Sequence, residues 1–186
     1  MNKIQNFLAI PATCLALCSC GLFDTESEYV GGDFSKLVQG DQEWNDTIDV
    51  VDNLGIQDSY KQRLYSHTFE NFDFEANGNI NEIHVKVRIE CSKDGGNLVV
   101  LCGENDSNTE APTFTNLDGD KMTNAQGYTI RMLDSLKVGN STYRNVFEFD
   151  ATDVKNNKCI YDKFYINASK GLLRINLQDS IKIERQ

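Results

Sequence analysis

Between Ile83 and Cys91 the chain reads Ile-His-Val-Lys-Val-Arg-Ile-Glu-Cys, with an apolar residue at every second position. Side chains of an extended strand alternate between its two faces. The run therefore builds a half-buried strand, dry on Ile83, Val85, Val87, Ile89 and Cys91 and wet on His84, Lys86, Arg88 and Glu90. The following Ser-Lys-Asp-Gly-Gly-Asn has the residue types of a turn, and the apolar run ending at Cys102 returns from it, so a hairpin is expected. With Cys91 set directly opposite Cys102, the connecting loop is Gly95-Gly96-Asn97-Leu98. A Cys91–Cys102 cross-strand disulfide is then geometrically conceivable in an oxidising compartment. Two alternatives stay open: Cys102 joined to Cys159, or all three cysteines reduced and packed as small hydrophobes.

The last sixty residues extend the same theme. Residues 128–133, 135–139, 141–150, 158–167, 171–177 and 180–185 read as consecutive strands. Turns fall at Gly139-Asn140, Asn156-Asn157, Ser169-Lys170-Gly171 and Gln178-Asp179. Short strands at nearly regular spacing, with no helical stretch between them, predict an all-β chain, an antiparallel meander curled into a sandwich or partly open barrel. The final hairpin is expected to place Leu173, Ile175 and Leu177 on one face, opposite Ile181 and Ile183. Upstream the pattern weakens. Residues 29–59 are polar with scattered anchors, Phe34, Leu37, Trp44 and Val50 among them, and residues 60–74 fit a helix face or a strand. Trp44, the only tryptophan, is expected to plug the core, with a ligand platform as the lesser reading.

A chain of 186 residues suits one domain, and a core of that size forms without covalent staples. The net charge of −10, with no basic stripe to overrule it, argues against nucleic acid or an anionic lipid surface as partner.

The N-terminus is organised differently. Lys3 is the only charge before an apolar stretch from Phe7 to about Cys18, which small residues follow. A positive start, a short apolar centre and a small-residue exit make a secretory signal, too short for a membrane span. A zinc cluster of Cys14, Cys18 and Cys20 is disfavoured, because no second cysteine pair follows at metal-ligand spacing. The ending Leu17-Cys18-Ser19-Cys20-Gly21 resembles the lipobox of bacterial lipoproteins, with Cys18 where that family usually carries alanine, serine or a small β-branched residue. The resemblance implies that Cys20 becomes the lipidated N-terminus and that Cys14 and Cys18 leave with the signal. Residues 1–19 are then signal peptide, 20–32 an acidic tether and 33–186 a single β-rich domain. The protein is expected in the cell envelope, held to a membrane by acyl chains, with the outer membrane favoured. Three carboxylates within residues 24–28 suit a solvated tether repelled by an anionic bilayer. The segment also resembles the acidic export signal of surface lipoproteins of Bacteroidota.

Asp46-Thr47-Ile48, Asp134-Ser135-Leu136 and Asp179-Ser180-Ile181 are similar to the O-glycosylation triplet of that group, which nominates Thr47, Ser135 and Ser180 as acceptors. Ordinary turn chemistry accounts for the same residues. The stretch 136–149 followed by 161–177 looks like the C-terminal half of small Bacteroidota lipoproteins of unassigned function. The likeness rests on Val138, Tyr143, Asn145, Val146, Tyr161, Tyr165, Lys170, Gly171, Leu172 and Leu173. It implies an antiparallel β domain and brings no catalytic residue.

Reactive constellations are sparse. Only His67 and His84 titrate near neutrality, and no nucleophile elbow, metalloprotease helix, phosphate loop or dinucleotide fingerprint occurs. Asp118-Gly119-Asp120 lacks the carboxylate spacing and closing glutamate of an EF-hand loop, so a solvated turn is expected and no metal or cofactor is assigned. The expected function is a non-catalytic binding or interaction module. A structural or assembly component of an outer-membrane complex is one alternative. A carbohydrate-active enzyme with an unmarked carboxylate pair is the other. A glycan or an envelope protein is the expected partner, with Tyr60, Tyr65, Tyr128 and Tyr161 as candidate platforms if exposed.

Overall fold

The computed structural model describes residues 32–38, 41–67, 71–78, 83–92, 95–104 and 111–186, the side chains of residues 38, 91, 92, 95 and 101–104 excepted. Residues 1–31, which include Cys20, the signal and most of the tether, lie outside the described residues.

The fold is an antiparallel meander of twelve strands. The first half comprises β1 (Gln42–Asp52), β2 (Gln57–His67), β3 (Asn71–Asn77), β4 (Ile83–Ser92), β5 (Gly95–Glu104) and β6 (Thr113–Thr115). The second comprises β7 (Lys121–Thr123), β8 (Thr129–Val138), β9 (Ser141–Asp150), β10 (Tyr161–Asn167), β11 (Gly171–Leu177) and β12 (Lys182–Arg185). Each strand pairs with its neighbours in sequence, β6 and β7 excepted, and β12 returns to β1 through Val50↔Arg185, Val51↔Glu184 and Asp52↔Ile183. The sheet is thus nearly closed and barrel-like, and the expected all-β meander is what the chain forms. Between β6 and β7 the ladder is open. There Asn124 Nδ2 donates to the Thr113 carbonyl at 3.4 Å.

The interior is packed with side chains. Phe149 stacks on Phe164 at 5.1 Å between centroids, and Tyr161 meets the Phe164 ring edge-on at 5.2 Å. A short 3-10 helix, Gly32–Val38, sends Phe34 and Leu37 into the core, where Phe34 packs edge-on against Phe147 at 6.4 Å. Trp44 is half-buried and packs against the same core, as a plug would.

β1 and β2 occupy stretches where the sequence pattern is weak or ambiguous. The reason is visible in β2, whose inward positions are Tyr60, Gln62, Leu64 and Ser66. Two of the four are polar, so the period-2 apolar signal is broken although the burial alternation is intact.

A second apolar cluster, Val138, Val146, Tyr165 and Leu173, lies apart from the main core. Asn145 takes a positive φ of 51° in β9, and the tip of the β8–β9 hairpin reaches β11, where Arg174 Nη2 donates to the Lys137 carbonyl at 2.9 Å. This corrects the expected final hairpin. Ile175 does pair with Ile183, but a β-bulge between Tyr165 and Ile166 shifts the register and puts Leu173 in the second cluster.

The β4–β5 register also differs from direct opposition of the two cysteines. Cys91 pairs with Gly96 and Cys102 with Val85, in a register whose last pair is Ser92 with Gly95. Six residues of strand, about 20 Å, separate the two positions, whereas a disulfide needs Cα atoms within about 7 Å. Their side chains lie outside the described residues.

Candidate binding surface

Across β1–β4 the outward positions fall into register as rows. Thr47, Lys61, Asn77 and His84 form one, Asn45, Arg63, Glu75 and Lys86 the next, and Glu43, Tyr65, Asp73 and Arg88 a third. Opposite charges meet within the grid. Arg88 holds Asp73 at 2.9 Å, His84 Nε2 lies 2.9 Å from Glu75 Oε1, and Arg63 stands 3.6 Å from Glu43. Burial pushes the Glu75 carboxyl up, but the Asn77 hydrogen bond and the His84 and Lys86 charges outweigh it and hold the group below its ordinary value. Two recesses indent this face. One of about 620 Å³ runs between Thr47, Lys61, Arg63 and Glu75; the other, of about 430 Å³, lies among Arg63, Tyr65, Asp73 and Arg88.

The polarity of the grid excludes one use of a barrel. A bilayer-spanning barrel needs an apolar outer band, and its strands run apolar-out. Here the outward rows carry Lys61, Arg63, Asp73, Glu75, Lys86 and Arg88 while the apolar residues face in. This face is built for water or a polar partner.

On the opposite half a single row crosses five strands, Arg131–Glu148–Tyr165–Arg174–Glu184. Arg131 Nε donates to Glu148 Oε1 at 3.0 Å, the Arg174 guanidinium sits 5.6 Å from the Tyr165 ring centroid, and its Nε donates to Glu184 at 2.7 Å. Glu148 is 3% exposed. These groups satisfy one another along the sheet, so the row is spent on structure.

The sequence-nominated residues divide. Thr47, Ser135 and Ser180 are all exposed, and Ser180 occupies a turn with φ of 62°. Cys20 lies outside the described residues. Of the four candidate tyrosine platforms, Tyr60, Tyr128 and Tyr161 are buried in the core and only Tyr65, 40% exposed, faces solvent. That is a correction: residues 159–166 are apolar in both strand registers, and the closed sheet turned Tyr161 inward. Asp118-Gly119-Asp120 is a turn docked to the 3-10 helix through Asp33 N–H and the Gly119 carbonyl at 2.9 Å, and no metal-binding group occurs among the described residues. Sequence reading missed Lys61, Arg63, Asp73 and Glu75. Only the outward half of β2 and β3 marks them, and that signal is legible only once the strands are placed.

Compared with protein-family models, curated proteins and solved structures, the chain matches none of them.

Proposed function

We propose that this chain is a lipid-anchored, non-catalytic interaction module of a bacterial cell envelope, tethered through Cys20 and presenting the charged β1–β4 face to a protein partner. One observation supports the reading above others: the barrel interior is filled, while the recessed outer face offers both charge signs in alternating order. Such a grid selects a surface of complementary charge, and it gives orientation and fast encounter more than raw affinity. A glycan partner is less well served, since sugars favour exposed aromatic platforms and Tyr65 stands alone on this face. Exposed Thr47, beside the recess, can take a sugar without disturbing the core.

Two measurements test the proposal together. Cys20→Ala should abolish palmitate labelling and release the protein from membranes; labelling that persists overturns the anchor. A photo-crosslinker at Tyr65 in the full chain should capture a discrete envelope protein in cells. Arg63→Glu with Arg88→Glu should remove that adduct while a crosslinker at exposed Leu54 captures nothing in either background. Equal capture from both positions, or glycan-array binding that survives the charge reversals, overturns the interface.

A further inference from the structure

β12 covers only the second half of β1. Its ladder spans Asp52 to Val50, and the last backbone bond runs from Gln186 N–H to the Asp49 carbonyl at 3.1 Å. Among the described residues no strand pairs with that side of residues 43–47. We infer that this open edge takes up an extended segment of the protein partner as an added strand, and that an acidic side chain of the segment enters the recess beside it, against Lys170 and Arg185. The inference rests on the interaction-module reading and states how such a partner is held.

The hydrogen bonds of β1 fix which backbone groups are open. Gln186 N–H reaches the Asp49 carbonyl and Asn53 N–H the Lys182 carbonyl at 3.0 Å, so odd positions turn towards β12. Asp52 N–H reaches the Ile56 carbonyl at 3.0 Å, so even positions turn towards β2. Antiparallel pairing keeps this alternation along the strand. Glu43, Asn45 and Thr47 therefore aim their amides and carbonyls away from β2, into the gap that β12 leaves. The Thr47 N–H is taken up locally by Asp46 Oδ1 at 2.8 Å. The N–H groups of Glu43 and Asn45 and the carbonyls of all three residues stay on offer. Asn45, Asp46 and Thr47 are exposed in succession, so both faces of the strand are open at this point.

An unpaired edge is a template for a further strand: main-chain bonds give affinity, and pockets for alternate side chains give specificity. The pocket here is a recess of about 260 Å³ lined by Trp44, Asn45, Asp46, Ser169, Lys170 and Arg185. Arg185 Nη1 donates to the Lys170 carbonyl, which ties β12 to the β10–β11 turn. Neither Lys170 nor Arg185 has an ion-pair partner among the described residues. Two cations facing one carboxylate, itself engaged by the Thr47 N–H, favour an acidic side chain, and half-buried Trp44 offers apolar surface to its methylenes. Glu43, Asn45 and Thr47 also stand in the outward rows of the charged face, so the added strand is continuous with a partner seated there.

Synthetic heptapeptides probe the full chain in detergent. The first is acetyl-Thr-Val-Thr-Glu-Thr-Val-Thr-amide, and the second carries lysine in place of the glutamate. The glutamate peptide should bind, and the lysine peptide should bind at least about tenfold more weakly. N-methylation of the two threonines flanking the glutamate should abolish binding, because their N–H groups face β1, whereas N-methylation of the valines should not. Amide exchange at Glu43 and Asn45 should be fast in the free chain and slowed by the glutamate peptide. Asn45→Pro removes one edge donor at a position where proline is tolerated, so the variant should fold and bind at least about tenfold more weakly. Lys170→Glu should reverse the preference between the two peptides. Failure of the glutamate peptide to bind, equal binding of both, or indifference to threonine methylation overturns the proposal. Slow exchange at Glu43 and Asn45 in the free chain overturns it too, since the edge is then covered by a segment of this chain or a second copy. A failed Tyr65 crosslink with intact peptide binding removes the charged-face reading and leaves the edge site standing; the converse removes the edge site alone.

Discussion

Gln62 on β2 and Leu172 on β11, 110 residues apart, meet inside the barrel: the Gln62 Oε1 accepts the Leu172 N–H at 3.0 Å. Its Nε2 donates to the Lys170 carbonyl at 3.3 Å, so one buried amide satisfies both sides of the β10–β11 turn. Gly171 makes the approach possible. Its φ is +74°, and a Cβ there would stand 2.2 Å from Gln62 Oε1.

Gln62→Leu should therefore strand a buried N–H, and its cost should be about 2–3 kcal/mol in a urea titration. Gly171→Ala should cost at least as much, through both clash and backbone strain. In a Gln62→Ala background the clash term disappears and the Gly171→Ala penalty should shrink. Equal penalties in both backgrounds would show that the two residues are not coupled.

Tyr60 gives a prediction of opposite sign. Its ring is fully buried, and its hydroxyl has no hydrogen-bond partner. Tyr60→Phe should leave Tm unchanged or raise it, by up to about 1 kcal/mol in stability, since an unsatisfied hydroxyl is costly to bury. A Cβ at Gly78 would lie 2.4 Å from Tyr60 Cζ, so Gly78→Ala should destabilise, and Tyr60→Leu should relieve part of that loss.

The Arg131–Glu148 pair should be needed as a pair. Arg131→Met leaves the Glu148 carboxylate buried without its counter-charge, and a loss of about 2 kcal/mol is expected after allowance for the partly exposed arginine. Arg131→Met with Glu148→Leu should recover most of that loss in thermal unfolding. A double variant weaker than the single would assign the stability to the ion pair itself.

Acid should weaken the fold through Asp150 and Glu184. Burial raises both carboxyls, but Lys163 at 2.5 Å and the Thr152 hydroxyl at 2.6 Å hold Asp150 down, and Lys182 and Arg174 do the same for Glu184. A folded-state pKa below the unfolded one contributes stability that is full above the unfolded carboxylate range, about pH 4, and is lost as pH falls through the folded value. Denaturation midpoints compared at pH 6 and pH 3 should show the loss, and Asp150→Asn should flatten the slope between them. An unchanged slope would remove Asp150 from the account.

How much of this was legible beforehand depended on whether a strand kept its apolar period. The run from Ile83 to Cys91 announced β4 because every inward residue is apolar, and the bounds expected for β9 and β11, 141–150 and 171–177, are those of the structure. β2 was hidden because Gln62 and Ser66 face inward, and a polar residue is tolerable there only when a partner is waiting. For Gln62 that partner is a turn 108 residues away, which no local window contains. The charged outer grid was hidden with β2, since rows exist only once neighbouring strands are in register.

The sequence by itself determined strand character, the meander and the expectation of an anchor at Cys20, because alternation, turn chemistry and a signal pattern are local properties. Tertiary structure alone decided which tyrosines are buried, where Leu173 goes, that Cys91 and Cys102 part company, and which charges share a surface. Those outcomes follow from register, bulges and closure of the sheet, where a shift of one residue exchanges the two faces of a strand.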